Sequence, residues 1–182
     1  MQLIQTVAPA QEPISLEDTK DFLRVLDTDS DNLITSLIVA VREHVENVTN
    51  RQLERATFEL LASDFISKLP KNPISSIEKI EYMNADGNYV LLDASTYYLY
   101  ERNGIGYISY SEIPNILDHK QAVKITFISG YVTVPETIKQ YIRITVSNLF
   151  ENKEPWVIGA SVAKINGELI ENLLSPHKIR SI

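Results

Sequence analysis

The chain has 182 residues, 44% hydrophobic and 23% charged, with 24 acidic against 17 basic residues, a formal charge of −7 and no cysteine. That length suits one domain, or one domain with an appendage, burying roughly 70% of its unfolded-chain surface, and the composition argues against wholesale disorder. The missing cysteines exclude disulfides, thiolate nucleophiles and cysteine-based zinc sites, and the acidic balance opposes a nonspecific grip on phosphate backbone, which needs clustered Lys and Arg. The small basic group Lys178-Ile179-Arg180 is the nearest candidate for such a grip. The apolar run Leu37–Val41 is far short of the ~20 residues that span a bilayer. Met1–Gln5 lacks the basic-then-apolar order of a secretory signal, so the expected compartment is a cytoplasm without membrane attachment.

In chain order, an extended start containing Pro9 and Pro13 leads to Ser15, placed as a helix N-cap with Glu17 and Asp18 in the first turn, and a short helix over about 16–26. The acidic run Asp27–Asn32 supplies a turn and a second N-cap. A long helix over about 33–50 follows, with Leu33, Ile34, Leu37, Ile38, Val41, Val45 and Val48 on one face and Arg42, Glu43, Glu46 and Asn47 on the other. Asn50 terminates it. From Leu53 the period becomes that of strands: Lys79–Tyr82 and Tyr89–Leu92 flank an Asp86-Gly87 turn, and Tyr97–Tyr100 and Ile105–Ile108 flank Asn103-Gly104, two hairpins. Val123, Ile125 and Phe127 alternate in a further strand. A third helix over about 136–152 begins after Pro135 and turns Ile138, Tyr141, Ile142, Thr145, Val146 and Leu149 to one face. Pro155-Trp156 ends it, and an amphipathic tail, Leu169–Leu174, is broken at Ser175-Pro176.

Catalytic and cofactor motifs are not visible. Asp27, Asp29 and Asp31 match the first ligands of a calcium loop, but Asn32 stands where the tight turn needs glycine and Ile38 where the bidentate glutamate belongs. Acidic capping of the second helix is the better reading. Gly104-Ile105-Gly106 lacks the third glycine and the following helix of a dinucleotide turn. His44, His119 and His177 are scattered, with His44 at the edge of the second helix's apolar face, and Gly-x-Ser-x-Gly is absent. The expectation is therefore no catalytic residue, no cofactor and no metal. Nine tyrosines, several between Tyr82 and Tyr110, suit half-buried strands, and Trp156 suits an anchor for a neighbouring subunit or for its own helix.

Taken together, the blocks at the two ends resemble the phage head-tail connector (head completion adaptor) family, in the longer form found in tailed phages and prophages. The residues that carry the resemblance are Glu12–Lys20, Phe22-Leu23-Arg24-Val25 and the acidic turn into a helix ending Val48-Thr49-Asn50-Arg51. Further on come Ser129-Gly130-Tyr131, Val134-Pro135-Glu136, Leu149–Glu154 and the closing Leu173–Lys178. Phe150 and Lys153 stand where the family's third helix usually closes with Tyr and Arg. The order and spacing of these pieces, rather than any catalytic fingerprint, make the likeness.

The resemblance implies a structural virion protein and not an enzyme. Copies would form a homo-oligomeric ring under the portal protein, extend the DNA channel without sequence-specific DNA binding, and support the next neck or tail-completion protein. Its place would be the virion neck, and the host bacterial cytoplasm during assembly. The expected fold is α+β, a single connector domain over 1–182. A small helical bundle from both ends of the chain would hold an antiparallel β insertion over about 53–130, and a C-terminal arm would run over about 156–182. Interface residues are expected at Trp156, Leu169, Ile170, Leu173, Leu174, Pro176 and Ile179, docking on a neighbour or the portal. The alternative is a soluble enzyme or small-ligand-binding protein with its site in the Tyr-rich insertion.

Overall fold

The computed structural model describes residues 1–151 and 172–179. Its elements form two compact units, one from Met1–Ala10 with Glu54–Val132 and one from Gln11–Leu53 with the described part of Thr133–Ile182. The class is α+β, as expected.

The helical unit contains α1 (Leu16–Leu23), α2 (Asp31–Thr49) and α3 (Glu136–Glu151), each packed against the other two. Ser15 caps α1, its Oγ accepting the Asp18 N–H at 3.0 Å. The helix stops at Leu23, three residues before the expected end, because Arg24 adopts the left-handed conformation (φ 59°) and the Val25 N–H closes back on the Lys20 carbonyl at 3.0 Å. That backward bond satisfies a carbonyl the helix end would otherwise orphan. Asn50 ends α2 in the same way, with φ 60°. At the start of α2 the expectation fails. The cap position is Ser30, without a side-chain bond, while Asp27 Oδ1 takes the Asp29 N–H and Asp31, in the first turn, pairs with Lys20 Nζ of α1 at 2.6 Å. The acidic run therefore folds its own turn and ties α1 to α2.

The bundle core consists of Ile34, Ile38, Val41 and Val45 of α2 with Ile138, Tyr141, Ile142 and Val146 of α3. Each buried aliphatic side chain stabilises by about 1.5–3 kcal/mol through the surface it removes from water. Arg42 and Glu46, assigned by periodicity to the solvent side of α2, are instead buried. Leu33, at the head of the supposed apolar stripe, is 42% exposed.

The other unit is an antiparallel sheet in the order β1-β2-β7-β3-β4, with β1 Gln2–Val7, β2 Ala56–Ala62, β3 Ile74–Met83, β4 Tyr89–Leu91 and β7 Val123–Ser129. A two-stranded ribbon, β5 (Tyr97–Arg102) with β6 (Ile105–Tyr110), completes it. Both expected hairpins are present. Asn103 (φ 55°) and Gly104 (φ 72°) form the two-residue β5–β6 turn, whose double positive φ matches the twist of the strands it joins. What the sequence did not reveal is that the extended start is a strand: β1 pairs with β2, so the sheet is not confined to 53–130. One sheet face carries Phe58, Leu60, Ile80, Val123, Ile125 and Phe127 into a core that Leu69, Leu92 and Ile108 complete, with the Phe58 and Phe127 rings stacked at 5.7 Å. At the end of β7, Gly130 (φ 134°) lies so close to the Glu54–Arg55 backbone that a Cβ there would sit 2.6 Å from it.

Candidate assembly surfaces

Within the helical unit the densest polar cluster surrounds Glu46. Its Oε2 accepts from Arg42 Nη1 at 2.9 Å, and its Oε1 accepts from Gln52 Nε2 at 2.9 Å and from the Leu53 N–H at 3.0 Å. Arg42 Nε also donates to Glu12 Oε2 at 2.7 Å. Glu12 and Leu53 lie just inside two of the three points at which the chain passes between its units, so the network holds those two stretches of the helical unit's own chain. Both Glu46 oxygens accept hydrogen bonds and its carboxylate faces the Arg42 guanidinium, which suits a clamp rather than proton chemistry. Sequence reasoning took Arg42 and Glu46 for an exposed pair; their i,i+4 spacing was the only signal, and it is equally common on wet helices.

The described tail, residues 172–179, lies on this same unit. Leu174 is fully buried. Arg51 Nε donates to the His177 carbonyl at 2.6 Å, the Ile179 N–H donates to the Thr49 carbonyl at 3.0 Å, and His177 Nε2 is 2.8 Å from Thr137 Oγ1 of α3. Burial first, and then the nearby Arg51 charge, hold the His177 pKa below its ordinary value. Of the residues expected at an interface, Leu174 is thus packed inside its own subunit, Leu173 and Ile179 are half-buried and Pro176 is exposed. Trp156, Leu169 and Ile170 lie outside the described residues.

The sheet's second face is polar. Lys79 and Lys124 approach Glu81 Oε2 at 2.9 and 3.5 Å, and Lys124 Nζ sits 4.3 Å from the Tyr89 ring centre. Partial burial raises the Glu81 pKa, but the two lysines outweigh it and the carboxyl titrates below its ordinary value. On the ribbon, Tyr100 stacks on Tyr107 at 5.5 Å and approaches Tyr98 at 5.9 Å, with Tyr98 61% exposed. Tyr110 turns inward, its hydroxyl donating to the Ile66 carbonyl at 3.0 Å, and burial pushes its pKa up. An open pocket of about 260 Å³ between Tyr82, Leu92, Thr96, Glu112 and Pro114 is smaller than the ~300–1,000 Å³ of ordinary ligand sites.

The remaining sequence candidates fall apart spatially. Gly104 belongs to the hairpin turn, and Gly106 faces Ile74 and Asn72, where a Cβ would meet Ile74 Cγ1 at 2.5 Å. His44 and His119 are exposed, the latter's Nδ1 accepting the Gln121 N–H. Among the described residues, no group of three or more His, Asp or Glu side chains is arranged to hold a metal ion, and no helix is long and apolar enough to cross a membrane.

These surfaces are packing, clamping and edge surfaces, and comparison with known proteins gives them a context. Among solved structures, a chain described as the virion of a native gene transfer agent (GTA) particle matches with TM-score 0.80 at 17% identity, covering 100% of this chain and 98% of its own. Chains of the neck of an empty GTA particle computed with C6 symmetry (TM-score 0.78, 18% identity) and of the neck of a native GTA particle computed with C12 symmetry (0.70, 16%) match with the same coverage. At these identities the likeness establishes the fold. No curated protein sequence matches. The sequence model of the phage gp6-like head-tail connector proteins matches residues 13–127, more than half of the chain, although the block from Ser129 onward lies beyond that match. The chain belongs to the phage gp6-like head-tail connector protein family.

Proposed function

We propose that this protein is a structural adaptor of a virion neck: copies close into a ring beneath the portal, extend the DNA channel and present a platform to the next neck or tail component. The observation that carries this reading is membership of the connector family together with a fold shared over the whole chain with chains of C6 and C12 neck reconstructions. A closed ring needs a heterologous interface, two different surfaces of one subunit that fit each other. The charge of −7 suits a channel through which DNA slides, because clustered cations would hold phosphate instead. Assembly would take place in the host bacterial cytoplasm. The residues assigned to contact a neighbour or the portal are Trp156, Leu169, Ile170, Leu173, Pro176 and Ile179, with Leu174 as the point at which the arm is held to its own subunit.

Native mass spectrometry over a concentration series, alone and with a cognate portal, tests the reading. The expected result is a closed oligomer of about a dozen subunits with few intermediates. A monomer under both conditions overturns it. Trp156→Ala should weaken ring or portal association and leave the melting curve unchanged; unaltered association removes Trp156 from the interface.

A further inference from the structure

The five-stranded sheet ends in two edges, β1 and β4, which are short, β1 being interrupted by a register shift, but carry neither charged side chains nor proline. Natural edge strands are guarded by charges, prolines or covering segments, because their unpaired N–H and C=O groups template pairing with another chain. None of the chain's 24 acidic and 17 basic residues lies in 1–10 or 87–92, the stretches holding β1 and β4. Neither strand contains proline. In a protein of charge −7, like copies repel at most contacts, and these two strands are uncharged places where they can approach.

The two edges also match each other. A register shift between Gln5 and Val7 confines the regular part of β1 to Gln2–Gln5, close to the three residues of β4. Ile4 lies opposite Glu59 and Leu91 opposite Glu81, so both stand on the polar face of the sheet, where Ile4 is 37% and Leu91 64% exposed. Tyr89, next to Leu91 on that face, is 37% exposed. Pairing the edges would shelter these apolar side chains against one another. Because five strands alternate in direction, β1 and β4 run the same way, and a copy related by rotation about an axis along the strands meets its neighbour in parallel register.

We propose that β1 of one copy pairs with β4 of the next, joining the sheets into a continuous belt and supplying the heterologous contact of the ring. This rests on the ring reading above and names its interface; the occupant of each edge is a second copy of this chain.

The cysteine-free sequence makes the test clean. Ile4→Cys, Leu91→Cys and the double variant are treated with a short bismaleimide across a concentration series, and the same samples are weighed by native mass spectrometry. The double variant should give a ladder of covalent multimers. Each single variant alone should stay monomeric on a denaturing gel, and a mixture of the two singles should give cross-linked dimer. Cross-linking of Ile4→Cys to itself as efficient as in the mixture would mean twofold pairing of β1 and overturn the proposal. A closed ring without cross-linking in the mixture would overturn the edge assignment and leave the ring; neither ring nor cross-link at any concentration, with or without a cognate portal, would overturn both. As a second variant, Ile4→Lys should raise the concentration for half-assembly at least tenfold with an unchanged melting curve, and unchanged assembly counts against the proposal.

Discussion

Replacing Glu46 by alanine tests whether the buried network holds the helical unit together. The substitution strips the buried Arg42 of its 2.9 Å partner and leaves Gln52 Nε2 and the Leu53 N–H without their acceptor, both at nearly inaccessible positions. Removing one member of a buried ion pair costs about 3–5 kcal/mol when the other charge is left unmatched; here Arg42 keeps Glu12 at 2.7 Å, so this term falls below that range. The two orphaned donors would each cost about 1–3 kcal/mol alone, but they share the acceptor, so the terms overlap rather than add. About 2–4 kcal/mol is therefore expected, a fall in Tm of roughly 4–16 °C at 2–4 °C per kcal/mol for a chain of this size. Differential scanning calorimetry is the assay, since it shows whether the two units melt in separate transitions and assigns the loss to one. The control is Glu43→Ala, which removes only an exposed carboxylate 3.7 Å from Arg42 and should change stability by about 0–1 kcal/mol. The double variant Arg42→Met, Glu46→Met should recover part of the loss, since it removes the buried guanidinium and leaves unpaired only the more accessible Glu12 carboxylate. A Glu46→Ala protein within 1 kcal/mol of the parent would refute the reasoning.

Three further outcomes are expected. Gly130→Ala should destabilise by about 2 kcal/mol or more in urea titrations, because φ of 134° and a 2.6 Å approach to the Glu54–Arg55 backbone leave no room for a methyl group; a loss below 0.5 kcal/mol would contradict the geometry. The His177 ring should titrate below 6.5 by NMR. With the folded pKa depressed, its contribution is intact above 6.5 and declines as the pH falls toward the folded value, so amide protection in 172–179 should fall on acidification. A midpoint at or above 6.5 would remove the basis for this. Tyr110→Phe should cost about 1 kcal/mol in denaturant melts for the lost bond to the Ile66 carbonyl, whereas Tyr98→Ser on the outer ribbon should stay within about 0.5 kcal/mol; equal effects would mean that the inner and outer tyrosines are not distinguished as described.

Local features were legible in the sequence wherever short-range physics governs. Ser15 caps α1 through a side chain three residues away, Asn103-Gly104 closes its hairpin because both positions need positive φ, and Asn50 stops α2 in the left-handed conformation. The core faces of α2 and α3 followed from the 3.6-residue period except at their ends, where Leu33 and Leu149 are exposed. The connector likeness, too, lay in the order of helix openings and closings.

Tertiary structure decided what depends on partners distant in the chain. Residues 2–7 contain only six positions of mixed polarity, and their identity as β1 appears only when β2, more than fifty residues later, supplies the hydrogen bonds. Arg42 and Glu46 have the charge of surface residues and are buried because Glu12, Gln52 and the Leu53 backbone converge on them. Leu174 reads as part of a free amphipathic arm, yet it is buried in the helical unit while Arg51 and Thr49 hold the residues that follow. A pairwise contact between remote segments leaves no periodic trace in either one, so sequence alone set the elements and their apolar faces, and only the fold assigned the edges, the clamp and the seat of the tail.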